Sequence, residues 1–80
     1  MSRHRLKTWP EFWLAIQAGE KTFELRQEDD RTFNVGDILE LEYFDPKQTV
    51  QPHKDIIVRN VVYLMRGPAF GLQEGWIIMA

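Results

Sequence analysis

Gly19-Glu20-Lys21-Thr22-Phe23-Glu24-Leu25-Arg26 decides how the chain is read. A helical pattern ends at its glycine and an alternating pattern begins after it. Read as a strand over 21–26, it sends Phe23 and Leu25 to one side and Thr22, Glu24 and Arg26 to the other. The first side is expected in a core. The second carries an acid and a base side by side, with Lys21 at the mouth. An outward strand face normally holds neutral polar residues or scattered charges. Lys, Glu and Arg gathered next to a helix end suit chemistry or an anionic ligand.

On the N-terminal side, His4-Arg5-Leu6-Lys7 reads as a short strand. Leu6 faces inward beside His4, and Arg5 and Lys7 share the other face. Thr8-Trp9-Pro10-Glu11 is a helix start: Thr8 and Glu11 have capping-box spacing, and Pro10 suits a first turn that needs no donor. The helix runs to about Ala18, with Phe12, Ala15 and Ile16 on one face and Trp9 and Trp13 flanking it. Gly19 is its left-handed cap.

On the C-terminal side, residues 27–31 form a charged, solvated loop, and Phe33 to Asp37 a turn in which Gly36 takes positive φ. In the strand from Ile38 to Phe44, Leu39, Leu41 and Tyr43 alternate with Glu40 and Glu42, so one face is buried. Lys47 to Lys54 is the tip of a hairpin. Asp55 to Arg66 has apolar residues on both sides, as in a central strand covered on both faces or a bent one shared by two layers. Phe70 and Leu72, in a Gly/Pro loop, are expected to plug a barrel or cover a cleft; Trp76 to Met79 is the last strand. One early helix followed by strands in hairpin order predicts an α+β, mostly β domain over 1–80: a small antiparallel or mixed barrel whose helix covers a cleft.

Composition sets the outer bounds. Eighty residues without cysteine must rely on burial, and five Phe, three Trp and two Tyr supply the material. No apolar run approaches the ~20 residues of a membrane span and no signal-peptide pattern starts at Met1, so the expectation is a cytoplasmic protein without membrane contact. The net charge of -2 argues against coating by nucleic acid. The first quarter is nevertheless basic: Arg3, Arg5, Lys7 and Lys21 stand against Glu11 and Glu20. His4 and His53 are the only histidines and have no metal-ligand spacing, so neither metal nor cofactor is expected.

The pattern G-x-K-T-x-E-x-R after a short helix, then F-x-V-G-D-x-L (33–39) and G-L-x-x-G-aromatic (71–76), resembles the ASCH domain of the PUA-like superfamily of small β-barrels. The opening H-x-L-K-T-W-P-E-F-W (4–13) resembles the small single-domain group DUF3850, common in bacteria and their phages. The resemblance covers nearly the whole chain. It implies a PUA-like barrel with a cleft lined by the G-x-K-x-x-E-x-R segment, proposed in ASCH domains to bind RNA or nucleotides. Some ASCH relatives hydrolyse nucleic acid or deacylate N4-acetylcytidine. The acylcytidine hydrolases have Thr, the proposed nucleophile, where this chain has Glu24. That mechanism does not carry over, and Thr22 stands at the wrong position of the motif.

Two functions are weighed on these residues. The first is a binding module for RNA or a nucleotide, using His4, Lys7, Trp9, Lys21, Glu24 and Arg26. Lys acts as a point charge, Arg as a planar fork, and Trp9 or Trp13 as a stacking surface. The second is a small hydrolase of a modified nucleoside or RNA. Glu24 would activate water and Lys21 or Arg26 would stabilise the developing charge, with Glu74 a further candidate acid or base. Against both stands a plain ion pair between Glu24 and Arg26. A host-protein partner is a third reading, for which no residue names the partner. The residues leave enzyme and binder open, and fix no oligomeric state.

Overall fold

A computed structural model describes residues 1–80. The elements are β1 (Arg3–Thr8), α1 (Pro10–Gln17), β2 (Glu24–Gln27), β3 (Ile38–Tyr43), β4 (Ile56–Asn60), β5 (Leu64–Arg66) and β6 (Trp76–Met79). The strands form two sheets, ordered β1-β3-β4 and β2-β6-β5. β1 runs parallel to β3, and the other pairs are antiparallel. The domain is small and mostly β, with one helix, but its strands do not close into a single hydrogen-bonded ring.

The break lies at residues 61–63. Val61 turns inward, and its N–H donates to the Asp37 carbonyl at 2.9 Å. The Val62 and Tyr63 amides donate to the Ala80 carbonyl beyond the end of β6. The chain thereby passes from the first sheet to the second. Of the two readings of 55–66, the bent strand shared by two layers is the one found. β4 and β5 are edge strands, not one central strand. β6, by contrast, lies between β2 and β5, so it offers no free edge for pairing across a dimer.

In the first sheet, β1 and β3 bury one face by strict alternation. His4, Leu6 and Thr8 stand in register with Leu39, Leu41 and Tyr43, and all six are buried. Trp13 and Ile16 of α1, Ile77 and Met79 of β6, and the loop residues Phe33 and Val61 complete the core. Burial of each large apolar side chain contributes roughly 1.5–3 kcal/mol. Trp13 is almost fully enclosed, and its indole N–H donates to the Leu41 carbonyl at 3.1 Å. It is thus the helix's main core residue rather than a flanking one. Phe12 is half exposed because Trp13 and Ile16, three apart, set the buried stripe.

The start of α1 also differs from the capping-box expectation. Thr8 still belongs to β1, Trp9 is the N-cap, and no side chain caps the helix. The Thr8 hydroxyl is engaged elsewhere, donating to the Leu6 carbonyl and accepting from Arg26. The helix end is as expected. Gly19 has φ +80°, and the Gly19 and Glu20 amides donate to the Ile16 and Ala15 carbonyls, a Schellman closure. Phe70, expected to plug the structure, is 95% exposed at φ +49°: the short Ala69–Leu72 bridge holds its turn and projects the ring outward.

Candidate functional site

Gly19 turns the chain so that residues 20–23 run past the end of α1 into β2. The strand begins at Glu24, not Lys21, and its inner and outer faces are the reverse of the expected ones. Glu24 is buried, whereas Phe23 and Leu25 are each nearly half exposed. A carboxylate inside a small core requires compensation. It receives this from both sides: Lys21 Nζ lies 3.0 Å from Oε1, and Arg26 Nε lies 3.0 Å from Oε2. The ion pair weighed as the plain reading is therefore present, and it includes Lys21.

Arg26 does more than pair. Its two terminal nitrogens donate to the Lys7 carbonyl at 3.1 Å and to the Thr8 hydroxyl at 3.2 Å. One guanidinium thus ties β2 of the second sheet to the end of β1 in the first. Lys21 donates also to the Phe23 carbonyl at 2.6 Å, and its ammonium lies 4.7 Å from the Phe23 ring centre and 5.7 Å from that of Phe12.

These groups line a groove of about 520 Å³. Lys7, Thr8, Trp9 and Phe12 form one wall, from β1 and α1; Lys21 and Phe23 through Gln27 form another; Trp76 of β6 closes the end. Five of the six expected binding residues meet here: Lys7, Trp9, Lys21, Glu24 and Arg26. Three cationic residues and one carboxylate border the groove, Lys21 and Arg26 contacting Glu24, and Trp9 is 63% exposed with its ring free to take a partner. Lys21, Phe23 and Glu24 also border a second cavity of about 170 Å³, whose floor is Ile16, Leu39, Leu41, Val61 and Met79.

The sixth residue, His4, is not in the groove. It is buried at the other end of β1, its Nε2 2.9 Å from Asp37 Oδ2 and its ring against Phe33. Asp37 also accepts from the Ser2 and Asn34 amides, each at 2.9 Å. The Ser2 hydrogen bond, followed by that of His4, holds its pKa down at about 2. His4 and Asp37 therefore fasten the start of β1 to the turn before β3. Trp13, considered for stacking, is in the core, and Glu74 is exposed in the turn before β6, outside the groove.

Sequence reasoning missed Phe12, Phe23 and Trp76 as groove residues. Trp76 was findable only through pairing: it stands opposite Gln27 at the end of the β2–β6 ladder. Phe23 was assigned to the core because apolar residues in a strand usually mark the inner face. No three His, Asp or Glu side chains converge as metal ligands.

A family model described as Domain of unknown function (DUF3850) matches residues 3–80, and the chain belongs to that family. No curated protein matches it.

Proposed function

We propose that this DUF3850 domain is a binding module for RNA or a nucleotide, which it holds in the groove between α1 and β2. The observation carrying this reading is the convergence of Lys7, Lys21 and Arg26 with the exposed faces of Trp9 and Phe23 in one groove of ligand size. Cations recognise phosphate or the polar edge of a base, and aromatic faces accept its plane. Glu24 fixes Lys21 and Arg26 before a ligand arrives, which lowers the ordering cost of binding. The resemblance of Gly19 to Arg26 to the ASCH motif supports the same reading. On it, the two sheets and the helix after β1 form an open PUA-like arrangement, working in the cytoplasm.

Hydrolysis is the weaker reading. Both Glu24 oxygens already accept from cations and the side chain is buried, so little of the carboxylate faces an attacking water. A thermal-shift comparison tests the binding proposal. Nucleosides, nucleotides and short RNAs are screened against the native protein and Lys21→Ala. The expected result is a ligand that raises the native midpoint and loses that increment in Lys21→Ala, measured from the variant's own ligand-free midpoint. Equal increments in both proteins would remove the ligand from this groove.

A further inference from the structure

We infer that the groove takes a single nucleotide, or one terminal nucleotide bearing a phosphate, with Lys7 as the phosphate contact, and not a tract of RNA. This rests on the binding reading above and narrows its ligand.

The basis is how the charges are partnered. On the outer face of the first sheet, Arg3 pairs with Glu40 at 3.7 Å and Arg5 with Glu42 at 3.3 Å. Each cation of β1 reaches the β3 residue two places beyond its register partner. Continued once more, the ladder brings Lys7 to Phe44, and the Lys7 ammonium lies 4.6 Å from that ring centre. The third rung is therefore aromatic where the first two are acidic. Lys7 has no carboxylate within ion-pair distance, although its two predecessors do. Elsewhere, Arg31 pairs with Asp30 and Arg66 with Glu28. The basic first quarter is thus a neutralised ladder that ends in one unpaired cation at the groove.

Inside the groove Lys21 and Arg26 share Glu24, so with Lys7 the three cations and one carboxylate leave a formal excess of +2. That matches one terminal phosphate, which carries about −1.5 to −2 near neutral pH. A protein that follows a nucleic-acid backbone needs a continued run of free cations and successive stacking platforms. Here the arginines that precede Lys7 on β1 are paired, Arg59 of the adjoining cavity alone among the arginines lacking a carboxylate, and the groove's aromatic residues all border one cavity of about 520 Å³.

Calorimetric titration with the four ribonucleoside 5′-monophosphates, their nucleosides, and homo-oligonucleotides of about nine residues decides the matter. The expected result has at least one monophosphate binding about tenfold or more tighter than its nucleoside. Lys7→Ala removes that difference, while Arg5→Ala, which alters only the paired ladder, retains it. Lengthening the ligand adds less than about tenfold, and raising salt from about 50 to 200 mM weakens binding by less than about tenfold, as one or two phosphate contacts require. An oligonucleotide that binds more than about a hundredfold tighter, with a steep loss in salt, overturns the single-nucleotide inference and leaves the binding proposal standing. A monophosphate no tighter than its nucleoside overturns the role of Lys7. Binding by none of the ligands overturns this inference and the proposal together.

Discussion

Glu24 and Asp37 are the two buried carboxylates, and they are held in different ways. Glu24 has two cations; Asp37 has two backbone amides and a histidine. Arg26→Lys keeps the charge beside Glu24 but lacks the fork that reaches Lys7 and Thr8 as well. A loss of roughly 1–2 kcal/mol in urea unfolding is expected, about one net hydrogen bond or a little more; an unchanged midpoint and slope would show that the link between sheets contributes nothing. Asp37 has a folded-state pKa depressed to about 2 from an ordinary 3.8. Its stabilisation is therefore complete above the unfolded-state value and is lost as pH falls through about 2. The thermal midpoint of Asp37→Asn should be lower at neutral pH and should fall less steeply between about pH 4 and 2. Parallel pH profiles of the two proteins would contradict this. In the sequence, the shared face of Glu24 and Arg26 was readable from parity alone. That this face points inward was not, because the tolerance for a buried carboxylate comes from Lys21 and from contacts with β1, eighteen or more residues away.

At the scale of elements, α1 ends more firmly than it begins. Gly19 has open space where a Cβ would stand, so Gly19→Ala costs only the left-handed backbone strain, about 1 kcal/mol in chemical denaturation. Trp13 carries the helix's attachment. Trp13→Ala should cost about 3–5 kcal/mol, and Trp13→Phe less, through the lost indole hydrogen bond to Leu41 and a smaller void; a near-neutral Trp13→Ala would refute its central place in the core. The end of α1, the alternation of β3, the extent of β6 and the inward placing of His4 and Leu6 were legible because each is a local periodicity or a single cap. The start of α1 was misread because Thr8 had a competing partner in Arg26, which lies in another element. The division of 55–66 was open in the sequence, since the Ala80 and Asp37 carbonyls that receive its amides are distant along the chain.

Over the whole molecule, two sheets share one core and Arg26 clasps them at the rim of the groove. The residues that attach the sheets to each other are therefore the residues proposed to meet the ligand, so binding and stability are coupled there. The meeting of five of the six expected residues in one groove was legible because they cluster in two short stretches, at 7–9 and 21–26. The aromatic walls were not, because Phe12, Phe23 and Trp76 meet only once the helix and second sheet are assembled. The three tryptophans now provide a direct reading of the central claim. Trp9 and Trp76 line the groove, while the Trp13 indole is bonded inside the core. A nitrogen–proton correlation spectrum, recorded as a ribonucleoside 5′-monophosphate is titrated in, should move the Trp9 and Trp76 indole signals together and leave that of Trp13 in place. Saturating shifts confined to other parts of the chain, or no shift of either groove indole with any of the four monophosphates, would contradict a nucleotide site between α1 and β2.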